Sequence, residues 1–114
     1  MSTPWQKICR VNDIPSLGAR VFQRPAGADI ALFRTDADKV FAVLDKCPHK
    51  GGPLSQGIVF GERVACPLHN WNIELDSGCA SAPDVGCSQV FQVQIEEGEV
   101  FLNAEEVRSL AIES

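Results

Sequence analysis

The sequence predicts an all-β fold: an antiparallel β-sandwich with an inserted hairpin subdomain and a short C-terminal helix. Three observations carry this expectation. Short runs of β-branched and aromatic residues recur between Gly, Pro, Asn and Asp punctuation. A helical pattern begins only in the tail, after Asn103. Two Pro- and Gly-bearing loops, Cys47-Pro48-His49-Lys50-Gly51-Gly52-Pro53-Leu54 and Cys66-Pro67-Leu68-His69-Asn70-Trp71, flank a segment long enough for one β-hairpin.

Taken in order, Trp5 and Ile8 mark a weak first strand, ended by the turn-like Asn12-Asp13 and by Pro15 and Gly18. Residues 19–22 and 29–34 flank Pro25-Ala26-Gly27 and read as a hairpin, and residues 39–44 form a third strand leading into the first loop. Ile58-Val59-Phe60 and Arg63-Val64-Ala65 around Gly61-Glu62 make the hairpin that brings the two loops together. Trp71, Ile73 and Leu75 then alternate with polar residues, a strand with one buried face, and Asp76-Ser77-Gly78 turns the chain. Trp71 serves either that core or as a shield for the second loop. Residues 79–88 lack periodicity and read as a long loop. Phe91–Ile95 and Val100–Leu102 are two strands expected to return to the supporting sheet. In the tail, Asn103 is the expected N-cap with Glu106 at the third helical position, and Val107, Leu110 and Ala111 form the apolar face.

Length and composition bound the function. At 114 residues the chain is expected to be one domain, 1–114, with its ligand loops within 45–75. Ten basic against fifteen acidic residues give a formal charge of −5, which offers no electrostatic support for a nucleic-acid role. No apolar run reaches the length of a membrane span and the N-terminus lacks signal-peptide character, so a cytoplasmic protein without a membrane partner is expected. In a reducing cytosol Cys9, Cys79 and Cys87 are expected as free thiols; Cys79 and Cys87 lie close enough in sequence to meet, but nothing demands a bridge.

The two loops hold the chain's only histidines, in the pattern C-x-H, sixteen residues, C-x-x-H. Thiolate and imidazole together suit zinc or an iron–sulfur cluster. Zinc fingers commonly pair Cys with Cys and His with His in separate knuckles, whereas here each loop is mixed. A [2Fe–2S] centre with two Cys on one iron and two His on the other takes one ligand of each kind from each loop. Cys47, His49, Cys66 and His69 are therefore the candidate metal and cofactor ligands, with a mixed-ligand zinc site as the alternative. Elsewhere the chain has no dinucleotide fingerprint, spare histidine or second metal constellation, hence no candidate catalytic residue.

At these residues the sequence resembles the Rieske family, which implies a Rieske-type [2Fe–2S] cluster held by Cys47, His49, Cys66 and His69. Respiratory Rieske proteins carry two further loop cysteines in a disulfide, at positions matched here by Gly52 and Leu68. That departure implies a soluble, lower-potential relative, near the low end of the Rieske range at about −150 mV or somewhat above. By the same resemblance, the proline-bearing loop after Cys79 either lies over the cluster or is an idle connection.

From Trp5 to about Leu102 the chain also resembles the small subunit of assimilatory NAD(P)H-dependent nitrite reductase, through C-P-H-K-G-G-P-L-S-Q-G-I-V from Cys47, C-P-L-H-N-W from Cys66, and Gly86-Cys87 followed by F-Q-V-Q-I-E-E-G. Some members of that family have lost the cluster ligands; here all four positions are intact. The resemblance implies a large-subunit partner carrying sirohaem, a [4Fe–4S] cluster and flavin, and a role in reducing nitrite to ammonium, as electron carrier or subunit stabiliser. Two other functions fit the same residues: a Rieske ferredoxin serving an aromatic-ring dioxygenase or monooxygenase, and a structural zinc-binding subunit.

Overall fold

The computed structural model describes residues 5–23, 29–45, 53–66, 72–80 and 86–108. Within them lie strands β1 (Trp5–Arg10), β2 (Ala19–Phe22), β3 (Ile30–Arg34), β4 (Val40–Leu44), β5 (Ile58–Phe60), β6 (Arg63–Ala65), β7 (Asn72–Glu74), β8 (Val90–Phe91), β9 (Val93–Glu96) and β10 (Glu99–Asn103), then helix α1 (Ala104–Arg108). The strands pair antiparallel in three sheets, ordered β1-β10-β9, β2-β3-β4-β8 and β5-β6-β7. The fold is all-β, as the sequence predicts.

The four-stranded sheet is the middle layer, and its residues show why. Ile30, Ala31, Leu32 and Phe33 of β3 are all fully buried, the continuous apolar run of a strand covered on both faces. Ile30, Leu32, Ala42 and Leu44 point one way, into a core shared with Cys9, Val100, Leu102 and Val107. Ala31, Phe33 and Val43 point the other way, into a second core with Leu54, Val59, Val64, Cys66 and Ile73. The register Ile30↔Leu44, Ala31↔Val43, Leu32↔Ala42 keeps the two sets apart, since a one-residue slip would exchange them. The first core joins the two larger sheets as the sandwich; the second seats the inserted hairpin on the back of it.

Turn chemistry fixes the hairpins. Gly61 (φ +56°) opens the two-residue loop between Phe60 and Arg63, and Glu97 and Gly98 (φ +51° and +77°) form that between Glu96 and Glu99, the positive-φ pair of a type I′ turn. Arg34 braces the link after β1, donating to the Ile14 carbonyl at 2.8 Å and to Asp38 at 2.8 Å. At α1 the Asn103 side-chain oxygen accepts from the Glu105 amide at 2.9 Å, the expected N-cap, and Val107 is buried. Leu110, Ala111, the Glu106 side chain and the Pro25-Ala26-Gly27 turn lie outside the described residues. No helix among the described residues is long and apolar enough to cross a membrane.

Three expectations need correction. The strand expected over Phe91–Ile95 is two strands interrupted at Gln92: Phe91 pairs with Ala42 in the middle sheet, while Ile95 pairs with Val100 in the outer one. A chain that changes sheets must leave one ladder before joining the next, so β9 and β10 do not return to the sheet that carries the site. In β1 the register shifts between Lys7 and Cys9. That irregularity changes which side chain faces inward, so Cys9 is buried and Ile8 only half-buried. Finally, Cys79 and Cys87 are not free thiols: an isolated antiparallel bridge sets them opposite one another, and a disulfide joins them. Cys9 does remain a thiol, and burial pushes its pKa up.

Candidate metal centre

The site is built where the inserted hairpin leaves the middle sheet. β4 delivers the chain to the first loop at Asp45, and β6 delivers it to the second at Cys66. Pairing of Ile58 with Ala65 and of Val59 with Val64 aligns the end of the first loop with the start of the second. Of the four predicted ligands, Cys66 is described: it is 1% exposed, packed with Leu54, Val59 and Val64 over Phe33 and Val43. Cys47, His49 and His69 lie outside the described residues, as does Trp71. Among the described residues no group of three or more His, Cys, Asp or Glu converges on one point.

The base of the first loop carries residues that the sequence analysis did not single out. Asp45 accepts two hydrogen bonds from Ser55, from its amide at 2.7 Å and its hydroxyl at 2.9 Å. One side chain thus ties together the two described residues that flank the first ligand segment. The Asp45 amide donates to the Asp29 carbonyl at 2.8 Å, the Leu44 amide to the Gln89 carbonyl at 2.7 Å, and the Ser88 hydroxyl to the Leu44 carbonyl at 3.2 Å. The approach to Cys47 is thus pinned from three directions. The sequence signal was an acidic residue before the loop and a hydroxyl after it, a pairing legible only once the loop is known to close.

The hairpin is tethered at its far end too. Lys39 pairs with Glu62 at 2.9 Å, which raises the lysine pKa through hydrogen bonding and charge, and the Leu75 amide donates to the Glu62 carbonyl at 2.9 Å. Arg63 and Glu74, opposite each other on β6 and β7, pair at 2.8 Å. Exposed pairs of this kind contribute little to stability; Lys39–Glu62 connects the hairpin to the start of β4, while Arg63–Glu74 lies within the β5-β6-β7 sheet.

This surrounding fits an iron–sulfur cluster. A cysteine sealed from water, just after a strand and within an apolar core, suits a thiolate ligand shielded from solvent. Asp45→Ala is expected to leave the Ser55 amide and hydroxyl without that partner and to cost roughly 2 kcal/mol, in keeping with hydrogen bonds to a charged acceptor. A lower urea midpoint with an unchanged denaturant slope would report that loss; an unaltered midpoint would mean that the clasp does not hold the loop.

Comparison with known proteins agrees with this geometry. The family model of the Rieske [2Fe-2S] domain matches residues 4–102. Ferredoxin CarAc of Metapseudomonas resinovorans is 32% identical over 106 residues, 92% of this chain and 98% of the relative. The 4beta-methylsterol monooxygenase of Methylococcus capsulatus (strain Bath) is 44% identical over 59 residues, but these cover only 15% of its length. Among solved structures, a chain in the complex of reduced oxygenase and oxidized ferredoxin of carbazole 1,9a-dioxygenase matches with a TM-score of 0.77 and 29% identity over 90% of this chain and 94% of that one. A protein assigned as the small subunit of nitrite reductase NADPH matches with a TM-score of 0.76 and 26% identity over 87% of this chain and 97% of that one. With its two-core sandwich, its inserted hairpin and a family match that spans both loops, the chain belongs to the Rieske [2Fe–2S] domain family, whose cofactor is a Rieske-type [2Fe–2S] cluster.

Proposed function

We propose that this chain, acting as one domain over residues 1–114, is the small subunit of a cytoplasmic NAD(P)H-dependent nitrite reductase, with Cys47 and Cys66 on one iron of its cluster and His49 and His69 on the other. The observation that carries the reading is the pair of loops with their flanks, C-P-H-K-G-G-P-L-S-Q-G-I-V and C-P-L-H-N-W. The likeness to a nitrite reductase small subunit along 97% of that chain supports it. The partner is then a large subunit bearing sirohaem, a [4Fe–4S] cluster and flavin, where nitrite is bound and reduced.

When bound, a Rieske cluster supplies one-electron transfer at a potential above that of an all-thiolate cluster. The protein's own part is structural and electrostatic. Core packing keeps Cys66 out of water, and the Asp45–Ser55 clasp fixes the entry to the first loop. The Lys39–Glu62 ion pair ties the hairpin to the residue before β4, and Arg63–Glu74 links β6 to β7 within it.

A second reading, the ferredoxin of an aromatic-ring oxygenase, is favoured by the 32% identity to ferredoxin CarAc over nearly its whole length. One experiment separates the two. The native complex, isolated through a tag on this chain, is expected to contain a sirohaem subunit and to reduce nitrite with NADH or NADPH. Replacement of a neutral imidazole by a thiolate in His69→Cys is expected to lower the potential, and lost turnover in an intact complex would show electron relay; undiminished turnover would leave only stabilisation. A chain that binds no sirohaem protein but restores an oxygenase would overturn the assignment.

A further inference from the structure

Cys79 and Cys87 stand outside the ligand set and outside both cores, yet they are joined across an antiparallel bridge where the chain passes from the hairpin sheet back to the middle sheet. Cys79 follows β7 and is half-buried; Cys87 precedes β8 and is exposed. The same junction is held by backbone hydrogen bonds that do not need the sulfurs. Glu74 donates to the Cys79 carbonyl at 2.8 Å, Ala80 to Gly86 at 2.8 Å, and Ser88 to Gly78 at 2.7 Å, while Ile73 and Ala80 form a further bridge. The junction thus has backbone pairing of its own beside the covalent tie, and Cys87 is the exposed member of the bridged pair.

We propose that Cys79–Cys87 is a thiol–disulfide exchange site, opened reversibly by cellular thiols attacking at the exposed residue Cys87 while the surrounding strands stay folded and the cluster is retained. In the first step a thiolate forms a bond to Cys87 Sγ, the Cys79–Cys87 bond breaks, and the electron pair leaves on Cys79 Sγ, which takes a proton from water. A second thiolate then attacks the sulfur of the added thiol. Cys87 leaves as a thiolate and is protonated, and the two reductant molecules depart as their disulfide. The protein gains two electrons and two protons, and two thiols are oxidised.

Accessibility decides the direction of attack, because exchange needs a nucleophile to reach one sulfur along the S–S axis. It also marks the bridge as labile, since exposed disulfides are the regulatory or exchangeable class and sealed ones are structural. The compartment points the same way, a step that rests on the cytoplasmic reading above: disulfides in a reducing cytosol are chiefly transient or redox-sensing. Opening removes the covalent tie across the base of residues 80–86, immediately downstream of β7 and of the second ligand loop, and leaves the backbone hydrogen bonds to hold it. The junction should then open locally more often while the outer sheet is unaffected.

The test uses the purified protein with its cluster, without any partner, so that its outcome is independent of the nitrite reductase assignment. The protein is equilibrated anaerobically with glutathione at a strongly reducing ratio, alkylated with iodoacetamide in the native state, and mapped by peptide mass. Cys79 and Cys87 are expected to be labelled together, Cys9 to stay unlabelled, and the visible absorbance of the cluster to persist. Amide exchange at Ala80 and Ser88 should rise about tenfold, with Val100 and Leu102 unchanged. Oxidised glutathione should restore the bridge. Labelling that requires urea would make the bridge a structural one, thiols that never pair under oxidant would remove it, and bleaching in step with reduction would show that opening is not local; each result overturns the proposal. A Cys79→Ser, Cys87→Ser double variant that keeps its iron but shows no glutathione-dependent change in exchange supports it.

Discussion

Cys66→Ala is expected to yield a folded protein that has lost its iron and acid-labile sulfide. Cys66 is the described member of the proposed ligand set, 1% exposed at the end of β6. Removing its sulfur deprives one iron of a ligand in a place that offers water no easy access to replace it. Loss of a partner that merely orients a ligand commonly costs 10–100-fold in metal affinity, and loss of the ligand itself should exceed about 100-fold. The protein should nevertheless fold, because the deletion removes one buried sulfur from a core that also holds Phe33, Val43, Leu54, Val59, Val64 and Ile73, a smaller cavity than those that cost 2–5 kcal/mol.

The control for this experiment is Cys9→Ala. Cys9 is also buried, at 6% exposure, but it belongs to the other core, with Val100 and Leu102 on the far side of the middle sheet. Burial and residue type are thus nearly matched while the position is not. Two irons and two sulfides per chain are expected in the Cys9 variant, as in the unaltered protein, and neither in the Cys66 variant. Equal iron in both would remove Cys66 from the ligand set.

The sequence was most legible where one physical rule acts alone. Mixed Cys and His loops have few chemical uses, so they single out the candidate ligands, and the alternation around Ile73 and Leu75 has one geometric meaning, so β7 was found in place. Asn103 before an acidic turn identified its helix for the same reason. It was least legible where tertiary structure adds a second demand. Ile30-Ala31-Leu32-Phe33 announces a strand but not that both of its faces are covered, which requires knowing that the hairpin folds back over the sheet. Val90 to Glu96 has the composition of one strand, and only pairing partners on different sheets divide it at Gln92. The irregularity in β1 leaves no mark in residue types. Cys79 and Cys87 are separated by eight positions, compatible with a bridge or with two thiols; the antiparallel contact between them decides, and it depends on the hydrogen bonds from Ser88 to Gly78 and from Ala80 to Gly86.

Gly57→Ala is expected to destabilise the protein by about 3 kcal/mol, at the upper end of the cost of overpacking, and to deplete its cluster. Gly57 has an ordinary φ of −81°, so an added methyl meets no intrinsic backbone penalty. The obstacle is space: a Cβ there would overlap the Ala65 carbonyl oxygen and lie 2.9 Å from Val64 Cγ2. Ala65 immediately precedes Cys66, and its carbonyl belongs to the β-ladder, so relief requires β6 to move away from β5 rather than one side chain to rotate. The displacement falls on the strand that presents the ligand. Gly61→Ala provides the contrast, since nothing lies within 4 Å of its added Cβ but φ is +56°. That change should cost about 1–2 kcal/mol of left-handed backbone strain at the far end of the hairpin and leave iron binding intact. Thermal midpoints together with iron content separate the two mechanisms: Gly57→Ala should lose both, Gly61→Ala only part of the first. If the two variants lose the same stability and both keep full iron, close packing of β5 against β6 is not what holds Cys66 in position.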